Sequence, residues 1–290
     1  MIVVQLKGGL GNQMFQYAFS KNYALRGHKV YLDLFAYRFP SKTGRPVKYE
    51  LASLFNVKTP ELPEWSYQYL YSGNLAWRAL RKVNAMRMRR LMETDLRYDE
   101  TYLHHTGNVW FSGYFQNENY FKNIAEDVRR DFTYSRPVPA KLQKVHEDIL
   151  NCESVSIHVR RGDFLTTGKN THGVLPLSYY RDAIAFIQAR VRSPKYFVFT
   201  DDADWVRGAF SVLLEDYVLV EHPSHSDSLV DIFLMTRCKH NVTANSSFSW
   251  WGAWLNDNPN KLIVAPKQWC IDPVLDVQTA DIPPSRWHRI

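Results

Sequence analysis

The sequence SVSIHVRRGD, residues 154–163, joins a short strand-like run to two arginines, a glycine and an aspartate. The run SVSIHV has the length and the β-branched content of a buried strand. Arg160 and Arg161 follow directly, so they stand at the carboxyl end of the predicted strand. Ligands of parallel α/β sheets bind outside the carboxyl ends of the strands. The fold around this stretch therefore depends on whether the neighbouring strands run parallel to it.

Strand-like and helix-like segments alternate through the second half of the chain. A helical pattern reaches about residue 150 and precedes the first strand. The later segments are helix 178–190, strand 195–200, helix 203–214, strand 216–221, helix 226–237, strand 239–244, a helix from about 249 and strand 261–266. This alternation predicts a parallel sheet with helices on both faces. We therefore expect a doubly wound α/β domain.

The first half is less regular. Its strand-like runs are 1–6, 28–34 and 108–114, and its helical patterns are 13–26, 75–92 and 118–131. The segment SRPVPA, residues 135–140, has two prolines and no periodicity, which is typical of a linker. The sequence therefore predicts two domains, residues 1–140 and 141–290.

The positive charge lies in the first half. Residues 1–150 contain 22 Lys and Arg against 14 Asp and Glu, whereas residues 151–290 contain 14 against 15. Much of the excess falls in WRALRKVNAMRMRRL, residues 77–91, where basic and apolar residues are interleaved. Such a helix can contact an anionic membrane face or a polyanion, or it can be an ordinary solvated helix. A non-catalytic polyanion-binding protein is therefore one alternative, although the scattered aromatic residues disfavour nucleic acid as the ligand.

The composition bounds the setting of the protein. No run approaches the roughly twenty apolar residues of a membrane span, and the N-terminus lacks the pattern of a signal peptide. The three cysteines have no CxxC spacing, which argues against a disulfide framework or a zinc site. We expect a cytoplasmic protein, with peripheral contact to the inner membrane face as an option left by the basic segment.

Unusual polar residues follow three of the predicted strands. Arg160 and Arg161 can hold a diphosphate by paired charge-assisted hydrogen bonds. Asn245, Ser246 and Ser247 open a predicted helix and add hydroxyls and backbone N–H groups beside its positive end. Together they predict a diphosphate clamp that needs no metal. His158 just before the arginines is a candidate nucleoside contact or a packed strand residue.

Two alternatives compete with this clamp. Asp202 and Asp204 form a DxD pattern that can hold a divalent cation on a nucleotide-sugar diphosphate, or either residue can cap the following helix. Asp201 and Asp202 can also contact the nucleoside or brace the arginine loop. Near the N-terminus, Gly9 and Gly11 resemble a dinucleotide fingerprint, but Met14 stands where its third glycine belongs.

Four motifs together resemble a known family. They are GGLGNQMFQYA (8–18), HVRRGDF (158–164), THGVLPLSYY (171–180) and NSSFSWWGAWL (245–255). In this order they are similar to the bacterial α-1,2-fucosyltransferases of glycosyltransferase family eleven. The resemblance covers most of the chain, whereas residues 40–105 carry no recognisable motif. It implies a GT-B-like α/β fold with two Rossmann-like domains whose parallel sheets face a cleft. It also implies GDP-L-fucose as donor, the 2-hydroxyl of a terminal β-galactoside as acceptor, inversion at the anomeric carbon and no metal or other cofactor.

The resemblance also implies roles for individual residues. Residues 1–140 would be the acceptor side, where Asn12 and Gln13 approach fucose and acceptor, and residues 141–290 would bind GDP-fucose. Arg160 would neutralise the leaving β-phosphate and Arg161 would support the loop. The remaining donor contacts would be His158 and Asp231 to the nucleoside, with Asn245, Ser246, Ser247 and Phe248 along the diphosphate and base.

Asp163 lies just past the arginines, on the same loop. It is our candidate for the base that takes the acceptor proton. The alternative, that Asp163 only orients Arg160 or Arg161, is equally consistent with the sequence.

Overall fold

In the computed structural model, the described residues are 1–39, 48–83, 88–134, 136–166, 168–221 and 229–290. They form two compact units, Met1–Ser135 and Arg136–Ile290, called unit 1 and unit 2 below. Each unit is built around its own parallel sheet.

Unit 1 contains a four-stranded parallel sheet in the order β2-β1-β4-β3. Its strands are β1 (Ile2–Gln5), β2 (Val30–Asp33), β3 (Arg89–Met92) and β4 (Val109–Ser112). Its helices are α1 (Leu10–Leu25), α2 (Phe35–Arg38), α3 (Leu51–Leu54), α4 (Glu64–Tyr71), α5 (Leu75–Val83) and α6 (Ala125–Asp131). The chain runs from β1 to β2 on one side and then to β3 and β4 on the other. The strand order therefore reverses between β1 and β4.

Glycine is required at the turn between β1 and α1. Gly8 has a φ of +80°, and a Cβ atom there would lie 2.5 Å from Nδ2 of Asn12. The glycine-rich start of the GGLGNQ motif thus lets the chain turn sharply from the strand into the helix.

Aromatic rings fill the core between α1 and the sheet. The ring of Phe19 stacks on Phe115 with centroids 4.0 Å apart. Phe111 and Tyr120 meet the Phe19 ring edge-on, at 5.2 and 5.5 Å. All four side chains are fully buried. Such clusters bury large apolar areas in favourable ring geometries, so this cluster fixes α1 on the sheet.

A helix was predicted over residues 75–92, and the prediction is wrong for the last part of this range. Helix α5 ends at Val83, and Arg89–Met92 is strand β3, paired in parallel with β4 from Arg89 opposite Val109 to Met92 opposite Ser112. The Arg90 guanidinium lies 5.2 Å from the Trp110 ring centroid. The sheet edge and this cation–π contact outweigh the local helical pattern. Residues 84–87 of the predicted basic helix lie outside the described residues.

Unit 2 contains a six-stranded parallel sheet in the order β10-β9-β8-β5-β6-β7. Its strands are β5 (Glu153–Val159), β6 (Pro194–Thr200), β7 (Val218–Val220), β8 (His240–Val242), β9 (Ile263–Ala265) and β10 (His288–Arg289). Its helices are α7 (Gln143–Leu150), α8 (Leu177–Gln188), α9 (Ala203–Phe210), α10 (Leu229–Arg237), α11 (Ser247–Leu255) and α12 (Pro273–Thr279). The predicted alternation and parallel sheet are confirmed. Only α12 and β10 were not expected, and positions 226–228 of one predicted helix lie outside the described residues.

The strand order of unit 2 reverses between β5 and β8. The chain first adds β6 and β7 on one side of β5 and then β8, β9 and β10 on the other. The two neighbours at the reversal pair from Val155 opposite His240 to Ile157 opposite Val242. Loops after these two strands therefore diverge to opposite faces and leave a crevice at their carboxyl ends.

None of the helices in the described ranges combines the length and the apolar character needed to cross a bilayer.

The aromatic core of unit 1 gives a stability prediction. We expect Phe19→Ala to lower the free energy of unfolding of unit 1 by about 3–5 kcal/mol, because it leaves a cavity among stacked rings. Leu25→Ala is the control, since Leu25 lies on the same helix and is exposed. Urea unfolding measures both variants. Equal small losses would mean that the cluster does not hold α1.

Candidate active site

The candidate site lies at the crevice between β5 and β8. His158 and Arg160 stand at the end of β5, and the segment from Asn245 to Phe248 follows β8. The rings of His158 and Phe248 lie 5.8 Å apart, which brings the two segments together. The structure thus places two of the three predicted strand ends at the position where α/β sheets bind ligands.

Asp201, at the end of β6, holds the arginine turn. Its Oδ1 accepts the backbone N–H of Arg161 at 2.8 Å, and its Oδ2 accepts that of Gly162 at 3.1 Å. The same Oδ2 lies 3.0 Å from Nη1 of Arg160. Two roles were predicted for Asp201, and these contacts show that it braces the arginine loop.

Arg160 lies between two carboxylates. Its Nη2 is 2.8 Å from Oδ1 of Asp163, and its guanidinium lies 5.9 Å from the Phe164 ring centroid. A guanidinium carries five N–H donors. The two ion pairs to Asp163 and Asp201 use one nitrogen each, so Arg160 keeps N–H donors for an additional anionic group.

Arg161 turns the other way, onto α9. Its Nε donates to Oδ2 of Asp202 at 2.8 Å, and its guanidinium stacks 4.1 Å from the Trp205 ring centroid. This hydrogen bond holds the pKa of Asp202 below its usual range. The side chain of Arg161 thus ties the loop to the start of α9.

Asp202 and Asp204 have different partners. Oδ1 of Asp202 caps α9 by accepting the backbone N–H of Trp205 at 3.2 Å, while its Oδ2 receives Arg161. Asp204 pairs with Arg207 at 2.8 Å. Helix capping was one of the roles predicted for the pair, and Asp202 has it.

His158 is a buried, neutral imidazole. The residue is only 5% exposed, and burial together with the nearby Arg160 charge lowers the pKa of His158 to about 4. Its Nδ1 has no hydrogen-bond partner within the described ranges. Buried polar atoms without a partner are uncommon in native proteins. A neutral ring nitrogen at this crevice is therefore available to a water molecule or a ligand.

Asn245 connects three loops behind the site. Its Nδ2 donates to the carbonyls of His172, Gly173 and Trp269 at 3.0, 3.2 and 3.1 Å. Its buried Oδ1 has no hydrogen-bond partner in the part of the chain that is described. The amide nitrogen therefore organises the THGVLP segment, and only the oxygen is left for the donor contact predicted for Asn245.

Helix α11 begins at the predicted serines. Ser246 is the N-cap, and its Oγ accepts the backbone N–H of Phe248 at 3.4 Å. Ser247 is the first helical residue, and both serines are partly exposed. The nine-residue helix has no acidic residue in its first turn. Its positive end is therefore suited to an anion.

Asp231 lies on α10, which packs against α11. It is buried in the first turn of α10. The two helices approach closely, because a Cβ on Gly252 of α11 would lie 2.9 Å from Cβ of Met235 on α10. Trp250 and Trp251 next to this glycine are fully buried, as expected of core residues.

Asn12 and Gln13 are placed in unit 1, at the start of α1. Gln13 is fully buried, and its carboxamide makes four hydrogen bonds: from Nε2 to the carbonyls of Gly8 and Lys48, and to Oε1 from the backbone N–H groups of Glu50 and Leu51. This side chain therefore holds its own loops together in the structure. Oδ1 of Asn12 accepts a hydrogen bond from Nε2 of Gln116 at 2.6 Å.

Two positioning residues escaped the sequence reasoning. Gln16 is buried on α1 and clamps two loops, because its Oε1 accepts the backbone N–H of Lys7 at 2.9 Å and its Nε2 donates to the carbonyl of Gly113 at 2.9 Å. Trp205 provides the ring under Arg161. A second glutamine one turn after Gln13 was a usable signal, because residues three apart lie on the same face of a helix, whereas nothing in the sequence marks Trp205.

Comparison with known proteins now adds to this geometry. The family described as Glycosyl transferase family 11 matches residues 1–288. The chain belongs to this family. The resemblance found in the four motifs is thereby confirmed, and the family 11 protein is a glycosyltransferase.

Bacterial relatives match over nearly the full length. An α-1,2-colitosyltransferase of Escherichia coli is 32% identical, with 100% of this chain and 99% of the relative covered. The O-antigen biosynthesis glycosyltransferase WbnK of Escherichia coli is 30% identical, covering 91% and 93%. A galactoside α-(1,2)-fucosyltransferase 1 of Alouatta caraya is 26% identical, covering 86% of this chain and 63% of the relative.

Solved structures share the fold. The α-1,6-fucosyltransferase NodZ of Bradyrhizobium, from a crystal soaked with GDP-fucose, matches with a TM-score of 0.50 at 16% identity and covers 88% of this chain and 91% of its own. The FUT1 protein of Arabidopsis thaliana, in complex with GDP, matches with a TM-score of 0.52 at 15% identity, covering 90% and 69%. The family 11 protein therefore has the predicted GT-B-like α/β fold.

The buried imidazole predicts a pH dependence of stability. The unfolded chain takes up a proton at His158 near pH 6.5, whereas the folded protein resists it until about pH 4, so acid favours unfolding in this window. Above about pH 6.5 the ring is neutral in both states and costs no stability. Between pH 6.5 and pH 4 the free energy of unfolding falls by on the order of 3 kcal/mol.

We expect His158→Gln to remove this part of the acid destabilisation. The measurement is the free energy of unfolding by urea between pH 7 and pH 4, compared with that of the unsubstituted protein. His288→Gln is the control, because His288 is exposed in the same unit. An unchanged pH slope in the His158 variant would contradict a buried neutral ring.

Proposed function

We propose that this family 11 protein is a galactoside 2-α-L-fucosyltransferase. It transfers L-fucose from GDP-L-fucose to the 2-hydroxyl of a terminal β-galactoside, with inversion at the anomeric carbon. The observation that carries the proposal is that the end of β5, with His158 and Arg160, and the N-terminal end of α11 come together at the β5–β8 crevice. The family membership and the fucosyltransferases among its relatives and structural neighbours support it.

The donor nucleotide would bind along this crevice. The N–H donors that Arg160 keeps beside its two ion pairs, together with the positive N-terminal end of α11, suit the oxygens of a diphosphate. Ser246 and Ser247 add hydroxyls, and Phe248 adds a ring for the base. Deeper groups would complete recognition of the nucleoside. Two of them are Nδ1 of His158 and Oδ1 of Asn245, which have no hydrogen-bond partner among the described residues. The third is the buried carboxylate of Asp231.

Arg160 would carry the main electrostatic step. The acceptor oxygen attacks the anomeric carbon from the face opposite the departing GDP, and negative charge collects on the β-phosphate as the glycosidic bond to it breaks. N–H donors held at that position stabilise the charge in the transition state without reorganisation. The Asp201 clamp supplies this rigidity, because it fixes both the turn and one side of the guanidinium.

Asp163 has two roles open to it. As the partner of Arg160 it orients the guanidinium, and the ion pair at 2.8 Å supports this role. As a base it would take the acceptor proton. Its side chain is 48% exposed, compared with 20% for Asp201, so a phosphate that competes for Arg160 would displace Asp163 first. We assign Asp163 the orienting role, and a loose transition state then releases the proton late.

The chemistry proposed here needs no metal ion. Asp202 is occupied by Arg161 and the start of α9, and Asp204 by Arg207. The rival, a metal-dependent transferase using Asp202 and Asp204, would have to break three of these contacts. A polyanion binder, the other rival, does not account for the crevice residues.

Unit 1 would take the acceptor, and Asn12 would be one of its contacts. Gln13 would act there by holding the loop, since its carboxamide is fully engaged. The three free cysteines fit a reducing, cytoplasmic setting. Peripheral contact of the basic segment with the inner membrane face is part of the same proposal.

A donor panel tests the function. Lactose is incubated with GDP-L-fucose, GDP-colitose, GDP-mannose and UDP-galactose, with and without EDTA, and the product linkage is determined. We expect transfer from GDP-L-fucose, an α-1,2 linkage and no effect of EDTA. Preference for GDP-colitose would move the protein towards its Escherichia coli relative. Loss of transferase activity in EDTA, with recovery on addition of manganese, would favour the metal-dependent rival.

The role of Arg160 predicts a large loss in turnover. We expect Arg160→Ala to lower kcat at least about a hundredfold, on the scale of one lost transition-state donor. Arg181→Ala is the control, because Arg181 is an exposed arginine of unit 2 that also pairs with an aspartate. Initial rates with saturating donor measure both. Near-normal turnover without Arg160 would remove it from its assigned role.

An asparagine at position 163 could fill the orienting role of Asp163 but not the role of a base. Asn keeps a side-chain oxygen that accepts a hydrogen bond from Arg160 but cannot take up a proton. We therefore expect Asp163→Asn to keep kcat within about tenfold and Asp163→Ala to lose more. The readout is kcat against pH for both variants. Equal, severe losses in the two variants, with disappearance of an acidic limb, would identify Asp163 as the base.

A further inference from the structure

A second polar cluster lies at the carboxyl edge of the unit 1 sheet. As in unit 2, the strand order reverses at one place, here between β1 and β4. Lys7 follows β1 by two residues, and Ser112 ends β4, with Tyr114 two residues later. These residues therefore flank the point at which a doubly wound sheet opens a crevice. None of them has a part in the donor chemistry above.

A chain of hydrogen bonds crosses this edge. Nζ of Lys7 donates to Oγ of Ser112 at 3.4 Å, and that hydroxyl donates to Oε1 of Gln5 at 2.8 Å. Nε2 of Gln5 donates to the Tyr71 hydroxyl at 3.0 Å, which donates to Oδ2 of Asp33. Each hydroxyl accepts one hydrogen bond and donates the next. The chain thus has a fixed direction, from the ammonium to a fully buried carboxylate.

The Lys7 amine is held in a partly buried position. It lies 4.7 Å from the Tyr114 ring centroid, and Gln16 clamps the backbone of Lys7 at 2.9 and 3.2 Å. Burial lowers the pKa of Lys7, while Glu93 raises it. An ammonium has three N–H donors, and Ser112 takes one. The remaining N–H donors are partly shielded from water. An oxygen atom of a ligand therefore gains more from a hydrogen bond to them than it would in bulk water.

Glu93 balances the charge at this edge. Its carboxylate accepts the backbone N–H groups of Tyr114 and Phe115, the latter at 3.2 Å. Gly113 leaves room for it, since a Cβ there would lie 2.6 Å from Cβ of Glu93. The single cation of the cluster stands beside one anion, so charge alone does not select a phosphate here. Its hydroxyls, amide and ammonium suit the hydroxyl groups of an uncharged sugar instead.

We infer that the Lys7 cluster, formed by Lys7, Ser112, Gln5, Glu93 and Tyr114, is the subsite for a neutral sugar of the acceptor. Lys7 donates to a sugar hydroxyl, and the hydrogen-bond chain holds its amine in place. This inference rests on the proposed function, because it assigns the second substrate of that reaction. It adds residues that recognise the acceptor.

Lys7→Met tests the subsite. Methionine keeps an unbranched apolar side chain beside Tyr114 and removes the ammonium. We expect KM for lactose to rise about tenfold or more, as for a lost charge-assisted hydrogen bond, while GDP affinity stays within about twofold of the unsubstituted protein. Lys29→Met is the matched control, because Lys29 is also a lysine over a tyrosine ring, at 5.5 Å, but precedes β2 at the opposite edge.

The outcomes separate the subsite from the function. A KM for lactose that is unchanged in Lys7→Met, with the melting temperature retained, overturns the subsite alone. A parallel loss of GDP affinity also overturns it, because it places Lys7 in the donor site. If the unsubstituted protein neither binds GDP nor transfers to lactose, the proposed function fails and this assignment fails with it. Lys7→Arg, which restores donors, should recover part of the lost affinity.

Discussion

The Asp201 carboxylate is the contact on which the candidate site depends. One side chain accepts two backbone N–H groups of the arginine turn and an ion pair from Arg160. Hydrogen bonds to a charged acceptor contribute roughly 1.5–3 kcal/mol each, so the turn has little freedom. The same contact explains the glycine of RRGD, because a Cβ on Gly162 would lie 2.7 Å from Oδ2 of Asp201. The position of Arg160 is therefore set before any ligand arrives.

The parallel sheet of each unit reverses its strand order at one place. A parallel sheet whose strand order reverses leaves a crevice at one place, and each unit has its polar side chains there. The chemistry of the two edges nevertheless differs. Unit 2 offers a guanidinium and a helix N-terminus, which suit a diphosphate, whereas unit 1 offers a lysine balanced by Glu93. This difference is the physical basis for assigning donor and acceptor to separate units.

The sequence was most informative where local pattern and tertiary structure agree. The strands and most helices of unit 2 were predictable, because buried parallel strands and the helices between them have clear patterns. The prediction of a helix through Arg89–Met92 was wrong, because pairing with β4 is a tertiary effect that local periodicity does not encode. The short β10 could not be predicted, since two residues carry no periodicity.

The site was predictable in its residue types and less so in their partners. Arg160, Ser246 and Ser247 stand where the strand ends placed them, because the carboxyl edge follows from topology. The engagement of Gln13 depends on loops distant in sequence, and no single-sequence pattern records such pairings. Bracing of the arginine loop was one of the two roles that the sequence left open for Asp201, and the hydrogen bonds decide between them. For Asp163, the sequence and the structure leave the same two roles in view, with the ion pair favouring orientation.

The charge balance of the arginine turn bears on what kind of ligand it can hold. Two cations, Arg160 and Arg161, face three carboxylates, those of Asp163, Asp201 and Asp202, so the turn carries no net positive charge. A polyanion binder gains affinity from excess charge and counterion release and weakens steeply with salt. This turn can gain affinity only from N–H donors that point at a particular oxygen, and from the exchange of the exposed Asp163 for a phosphate. Such a site selects a ligand by its geometry, which is what a transferase needs at a diphosphate leaving group that gains further negative charge in the transition state.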